Sequence, residues 1–231
     1  MLNKKINYPG WELKYFDKAQ NFRNYQQNLI KKYISGKVAE VGPGNGTNAK
    51  LYNKFFEQLH LYEPTKKLSN NLKKKFKSEK KIKIFNKKFN SKKKFYNTII
   101  YLDVIEHIKD CEYEINKAYK GLKKNGHLII NVPAFQFLYS QFDKDVDHLK
   151  RYSKKDFKKI LEKMKINKFI MFYYDSVGFF LSLISKIVTK DYKKKFGLKI
   201  KMWDKLIGIS KFLDIILLFN IGKSLVLIIK K

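Results

Sequence analysis

From residue 37 onward, short apolar runs alternate with segments of helical length, which restricts the chain to a sheet whose strands are joined by crossover helices. The strand-like runs fall at 37–41, 59–63, 82–85, 98–102, 127–132 and 169–174, with candidate helices at 47–57, 66–77 and 111–123 between them. Strands connected in this way lie mostly parallel, carry helices on both faces, and place a ligand at their carboxyl ends. Ahead of them, Leu13, Phe16, Phe22, Leu29, Ile30 and Tyr33 recur at helical spacing and predict an amphipathic helix over 12–34. After Tyr174 come two apolar, aromatic helical stretches, SVGFFLSLISKIVTK and KMWDKLIGISKFLDIILLF, separated by a basic linker at 191–200. The chain then closes on IGKSLVLIIKK, read as a strand returning to the sheet edge after a glycine turn. With 231 residues, 44% of them hydrophobic, there is material for one full core. The expected organisation is one domain: an N-terminal helical segment (1–36), a ligand-binding core (37–175), a hydrophobic helical cap (176–221) and a final strand (222–231).

The first strand-like run leads into VAEVGPGNGTNAKLY, with glycines at 42, 44 and 46. Strand, glycine turn and helix make a site where backbone N–H groups approach a ligand closely. The dinucleotide fingerprint spaces its glycines G-x-G-x-x-G; here the spacing is G-x-G-x-G and Thr47 takes the sixth place. Glu40, two residues before the first glycine, would repel a pyrophosphate and attract a cation.

The charge balance, 51 basic against 20 acidic side chains for a net +31, suggests a polyanionic partner. All but two of those basic residues are lysine, however, and Asn, Ile, Phe and Tyr are abundant too, the composition that an A/T-biased coding sequence favours. Most of the charge therefore reads as solvated surface, and the two arginines, Arg23 and Arg151, gain interest. Cys111 is alone, which excludes an intramolecular disulfide framework and a thiolate metal cluster and fits a reducing compartment. The opening MLNKKINYPGWELKYF lacks the apolar core of a signal peptide, and no run approaches the roughly 18–20 apolar residues of a spanning helix. The expected location is the cytoplasm, with peripheral contact at the inner face of the membrane left open.

Four stretches in order, VAEVGPGNG, LYEP, YNTIIYLDVIEHIKD and LKKNGHLIINVPA, resemble the successive motifs of class I S-adenosylmethionine-dependent methyltransferases. The resemblance runs from about Phe22 to Lys231. It is strongest to the bacterial group of ubiquinone-type O-methyltransferases and methyltransferases associated with cell-surface glycan genes. It implies an α/β, Rossmann-like sheet, mostly parallel with an antiparallel last strand, and a hydrophobic helical insertion before that strand. The implied cofactor is S-adenosyl-L-methionine, whose sulfonium and ammonium suit an acid-flanked loop without phosphate contacts.

The same resemblance implies site roles. Gly42, Gly44 and Gly46 let the backbone approach the methionyl part; Glu40 supplies negative charge beside it; Glu63 accepts from the ribose hydroxyls. Leu102 and Asp103 hold the methionyl group, although Asp103 can equally cap the following helix. Arg23 can reach the cofactor carboxylate. Where relatives carry an acid against the adenine amino group this chain has IFNKKFN, leaving Asn86 or Asn90. FDKDVDHLKRY resembles the family's segment ending in H-x-x-R-Y, here His148, Arg151 and Tyr152, although relatives often have glycine where this chain has Asp147. His148 can act as general base, bind substrate or orient its loop. Arg151 suits a planar grip on a carboxylate, phosphate or carbonyl, and with Tyr152 is assigned to substrate binding. His107 can line the acceptor pocket. Glu106 and His107 are adjacent and the histidines show no ligand spacing, so no metal is expected.

The expected activity is methyl transfer from S-adenosylmethionine to an oxygen, in preference to a nitrogen, of a small-molecule or lipid-linked acceptor. Two rivals stand beside it: an RNA methyltransferase, disfavoured by lysines spread along the chain without a binding track, and a non-catalytic cofactor-binding or membrane-associated accessory protein. The late apolar helices fit a lid or core, a membrane-contacting surface or a homodimer face.

Overall fold

The structure, a computed structural model, describes residues 8, 10–52, 54–90, 92–188 and 193–231. Half of the amino-terminal stretch read for a signal peptide and the start of the expected basic linker lie outside these; the end of that linker forms the start of a helix. The elements run α1 (Leu13–Phe16), α2 (Gln20–Ile30), β1 (Lys37–Val41), α3 (Thr47–Leu51), β2 (Gln58–Tyr62), α4 (Lys66–Lys75), β3 (Ile82–Phe85), β4 (Tyr96–Leu102) and α5 (Cys111–Gly121). They continue with β5 (Leu122–Pro133), α6 (Gln141–Asp145), α7 (Lys154–Lys163), β6 (Phe169–Tyr174), α8 (Ser176–Val188), α9 (Phe196–Lys205), α10 (Ile207–Ile216) and β7 (Ser224–Lys230).

The strands form one seven-stranded sheet in the order β3-β2-β1-β4-β5-β7-β6. The first five in that order are parallel, and β7 runs antiparallel to both β5 and β6. This is the Rossmann-like class I methyltransferase sheet that the motif resemblance implied. One expectation is corrected: the last strand does not return to the edge but inserts between β5 and β6, and β6 is the edge. The reason lies in SLVLIIK, whose side chains are buried from Ser224 to Ile229 on both faces. Val226 and Ile228 join the core under α2, α9 and α10, while Leu225, Leu227 and Ile229 join the core under α5 and α7. A strand buried on both sides reads as an unbroken apolar run, which an edge does not require.

Two helices differ from the sequence reading. The helix expected over 12–34 breaks at 17–19, because Asp17 turns to the glycine loop and accepts from Asn45 Nδ2 at 2.7 Å and Thr47 Oγ1 at 2.6 Å. The crossover expected over 47–57 keeps only the five helical residues of α3.

The cap is held by buried aspartates. Asp214 on α10 accepts from Tyr25 Oη (2.7 Å) and from the N–H groups of Asp175 (2.8 Å) and Ser176 (2.9 Å), so it caps the start of α8 and ties it to α2. Asp175 takes Trp203 Nε1, Ser210 Oγ and Gly178 N–H. Asp204 on α9 accepts from the N–H of Phe22 at 2.9 Å and from the Asn21 amide at 3.2 Å.

Candidate functional site

The carboxyl ends of β1, β2, β4 and β5 open on a cavity of about 810 Å³, roofed by Tyr8 and residues 12–17, by the segment around α6, and by Trp203 of α9. Trp11, Phe16, Phe142, Phe196 and Trp203 pack edge-on or stacked across this roof, with ring centroids 5.1–6.3 Å apart. Nine of the 20 acidic side chains line the cavity against five lysines and arginines, so a chain of net charge +31 has an acidic interior site. That sign favours a cationic ligand.

The glycine loop is built for three left-handed residues, and two positions show why. At Gly46, with φ of 68°, a Cβ would lie 2.6 Å from Leu72 and 2.7 Å from Phe76, so this glycine serves packing against α4 and is not in the cavity wall. Gly44, with φ of 55°, does face the cavity, where a Cβ would meet only Leu13 at 3.5 Å. Above the loop Glu40 is buried and its Oε2 has no hydrogen-bond partner. Burial raises its carboxyl to about 8 against the opposing pull of Arg23 and Lys75. An orphaned buried carboxylate oxygen beside an open loop matches a ligand that brings its own positive charge. Glu63, 4% exposed, also lines the cavity; it accepts the Thr65 N–H at 2.8 Å, and burial raises its carboxyl.

Leu102 and Asp103 end β4 in the cavity wall. Asp103 adopts φ of 56°, shows its carboxylate to the cavity and accepts from Asn131 Nδ2 at 2.7 Å. The protein mass around it raises its carboxyl, with Arg23 and His148 opposing. It caps no helix; Asp110 caps α5. Arg23 lines the same wall, its Nη1 reaching Asn48 Oδ1 at 3.4 Å and its Nε buried without a partner. Asn86 lies outside the wall: exposed, it donates to the carbonyls of Glu63 and Pro64 at 3.0 and 3.1 Å, while Lys88 and Phe89 of the same loop face the cavity.

At the far end a cluster gathers around Asp143, a residue the sequence reading gave no role. Ser140 and Asp143 form the capping box of α6, a pattern legible as S-x-x-D. The fully buried Asp143 carboxylate then takes Arg151 in a two-pronged grip, Nε to Oδ1 and Nη2 to Oδ2, both at 2.9 Å, and His148 Nδ1 at 2.8 Å. Burial alone would push this carboxyl up; the His148 hydrogen bond and the Arg151 guanidinium overcome it and hold Asp143 well below the usual carboxylate range. A charged Asp143 carboxylate can only accept, so His148 Nδ1 donates to it; the other ring nitrogen, Nε2, lies 3.8 Å from Glu106 Oε1, and the residue lines the cavity. Arg151, expected at an external anion or carbonyl, thus grips the chain's own carboxylate. Tyr152 stacks on Phe157 at 5.1 Å, fully buried and away from the cavity.

His107 Nδ1 donates to the Asp147 carbonyl at 3.0 Å and its ring meets His148 edge-on at 4.8 Å. Burial, with His148 adding to it, lowers its pKa to about 4, so it is neutral at pH 7. Asp147 itself sits at φ of 60°, the left-handed conformation that explains a preference for glycine there; Asp tolerates it better than most side chains. Glu106 is fully buried, and neither carboxyl oxygen has a hydrogen-bond partner. Burial pushes its pKa well above the usual range, and repulsion from Asp103 adds to this. Donor atoms of Glu106, His107 and His148 come within 4.8 Å of one another. Spacing along the chain, which argued against any such cluster, is blind to the turn at Asp147 that brings His148 back.

A family model described as "Methyltransferase domain" matches residues 14–164. No curated protein sequence matches the chain significantly. Among solved structures, phosphoethanolamine N-methyltransferase 2 of Haemonchus contortus with S-adenosyl-L-methionine superimposes with a TM-score of 0.65 at 14% identity, over 95% of this chain and 57% of that one. The same Haemonchus enzyme with phosphomonomethylethanolamine and S-adenosylhomocysteine gives 0.63 at 16% identity, over 96% and 57%. A SAM-dependent methyltransferase of Archaeoglobus fulgidus gives 0.60 at 14% identity, over 96% of this chain and 98% of that one. The chain therefore spans little more than half of the Haemonchus enzyme, and at these identities the likeness is one of fold.

Proposed function

The chain belongs to the methyltransferase-domain family, and on that premise we propose that it transfers a methyl group from S-adenosylmethionine to an oxygen of a small or lipid-linked acceptor held beside His148. The observation that carries this reading is a single cavity joining the Glu40–Gly44–Glu63 end to a histidine whose tautomer is set by a buried aspartate. When bound, the cofactor supplies a methyl group on a sulfonium, an already activated leaving group. The chain's residues then need to position, exclude water and move one proton. Glu40 and the glycine loop would hold the cationic methionyl part with Leu102 and Asp103, Arg23 would pair with its carboxylate, and Glu63 would accept from the ribose hydroxyls. The aromatic roof excludes water, and His148 Nε2 takes the proton of the acceptor hydroxyl while the Asp143 carboxylate stabilises the imidazolium. The resemblance to ubiquinone-type and glycan-associated enzymes favours oxygen.

A second reading, an amine acceptor, is favoured by the unpartnered carboxyl oxygens of Glu12 and Glu106 at the acceptor end. Incubation with labelled cofactor and whole-cell extract, followed by separation of lipid, small-molecule, protein and RNA fractions, tests the methyl transfer that both readings share, and the acid and base lability of the labelled product separates oxygen from nitrogen. Label confined to RNA, or no label in any fraction, would overturn both.

Two measurements test the cofactor end. Glu63→Ala is expected to weaken S-adenosylhomocysteine binding by about 1.5–3 kcal/mol, the worth of hydrogen bonds to a charged group, or roughly ten- to a hundredfold in calorimetry. Unchanged affinity would remove Glu63 from the site. The Glu40 carboxyl, raised from its ordinary 4.5 to about 8, makes S-adenosylmethionine binding pH-dependent. A positive ligand binds the carboxylate form, so affinity is expected to rise from pH 6 to pH 8 by up to about tenfold per unit, and to flatten in Glu40→Gln. In the ligand-free protein the sign is opposite. The folded-state pKa is raised, so Glu40's contribution to stability is complete below about 4.5 and is lost as pH rises through about 8.

A further inference from the structure

Helix α10 is built inside out. Its inward positions, Ile207, Ser210 and Asp214, include a hydroxyl and a carboxylate, all fully buried. Its outward positions are Phe212 (64% exposed), Ile215 (62%) and Ile216 (58%). The adjacent α8 repeats the pattern: Ser176 at its start is fully buried, and Phe180, Leu181 and Ile184 face out. Asp214 and Ser210 are satisfied inside, since Asp214 caps α8 and Ser210 donates to Asp175, while the Ser176 hydroxyl is buried without a partner. The apolar side of both helices is therefore left to whatever lies beyond the surface, and a patch of this kind is larger than scattered exposed hydrophobics account for.

Charge decides what that is. The aspartates described in the cap, Asp204 and Asp214, are buried in hydrogen bonds, so among the described residues from 176 to the end no carboxylate side chain is exposed. Lys201 and Lys205 of α9, which packs against α10, are exposed. A second copy of a chain with net charge +31 would bring lysines against lysines across a symmetric contact, whereas an anionic surface would neutralise them. Among the described residues no helix is long and apolar enough to cross a membrane. We infer that the outer face of α8 and α10 docks on the surface of a lipid bilayer carrying anionic headgroups, with its aromatic and aliphatic side chains in the acyl boundary and the lysines of α9 among the headgroups. The inference stands apart from the methyl-transfer reading. It also links the two surfaces, since α9, whose lysines meet the headgroups, carries Trp203 into the cavity wall.

The test is vesicle flotation of the full chain. The protein is expected to float with phosphatidylcholine vesicles containing phosphatidylglycerol and to stay behind with phosphatidylcholine alone. Phe212→Ser with Ile216→Ser, both at exposed positions, is expected to lower the bound fraction about tenfold or more, and so is Lys201→Glu with Lys205→Glu. Unchanged thermal midpoints and S-adenosylhomocysteine affinity show that the variants are folded. Flotation that survives the serine pair, no flotation of the parent, or a dimer in light scattering that the serine pair dissociates would each overturn the proposal, the last in favour of a second copy.

Discussion

His148→Ala is expected to lower kcat by about a hundredfold to ten-thousandfold, the range for removing a positioned general base, while changing S-adenosylhomocysteine affinity less than about twofold. The geometry separates the two effects. The histidine backbone is held independently of its side chain, by its N–H to the Asp143 carbonyl at 2.8 Å and by Tyr139 Oη donating to its carbonyl at 2.7 Å. Asp143 keeps its two-pronged bond with Arg151 when the imidazole is gone, so the loop retains its anchor. The cofactor-side groups, Glu40, Gly44 and Glu63, belong to other elements. Added imidazole is expected to restore part of the rate, because the lost group is a proton acceptor facing an open cavity. A loss of less than about tenfold in kcat, or an equal loss of cofactor binding, would move His148 from base to scaffold.

The acidic cavity inside a basic molecule also bears on the composition. Among the described residues most lysines occupy solvated faces, several lying over aromatic rings, as Lys37 does over Phe95 at 4.4 Å, while Lys88, Lys109 and Lys223 line the cavity. Acids are scarce, and where they occur they serve specific contacts: Asp17 ties residues 8–17 to the glycine loop, Asp204 and Asp214 lock the cap, and nine face the cavity. Net charge alone pointed to a polyanion. Its distribution separates an acidic cavity from a lysine-rich exterior, the contrast on which the cofactor and lipid-surface proposals both rest.

How much of this was legible before the structure depends on how local each feature is. β1, β3 and β6 form at the bounds their apolar runs marked, because a strand is announced by its own residues. The placement of β7 inside the sheet was signalled by its unbroken apolar run, yet an order among strands is a long-range property that periodicity does not encode. Arg151 was singled out as an arginine kept among lysines, and a two-pronged grip exists; its carboxylate could not be named, because Asp143 precedes it by a turn of α6 and a left-handed residue. Glu106 and His148 are far apart in sequence, and the Leu149 N–H donating to the Glu106 carbonyl at 2.8 Å, with His107 Nδ1 on the Asp147 carbonyl at 3.0 Å, shows why they meet. The resemblance offered the amide oxygen of Asn86 or Asn90 to the adenine, and Asn86 stands outside the cavity wall because its Nδ2 donates to the Glu63 and Pro64 carbonyls and ties the side chain to that loop.

Asp143→Ala is expected to be the most destabilising single substitution among the site residues, by about 3–5 kcal/mol, because it leaves the buried Arg151 guanidinium without its counter-ion. Arg151 is 5% exposed and Asp143 is fully buried, so water replaces little of the lost pairing. The same substitution removes the cap of α6, where Asp143 accepts from the Ser140 N–H at 2.9 Å. Asp143→Asn separates charge from shape: it keeps a cap acceptor and is expected to cost less. The pH dependence gives an independent check. The folded-state carboxyl lies below its ordinary 3.8, so its contribution to stability is present above about pH 4 and is lost as pH falls further. Denaturant midpoints of the parent are therefore expected to drop below pH 4 more steeply than those of Asp143→Asn. If the two acid limbs coincide, the Asp143–Arg151 pair is not what holds the acceptor loop. Because His148 depends on the same carboxylate for its tautomer, Asp143→Asn is also expected to lower kcat in protein that remains folded at neutral pH. Stability and proton transfer are thus coupled at one buried oxygen, Asp143 Oδ1, which accepts from both His148 Nδ1 and Arg151 Nε.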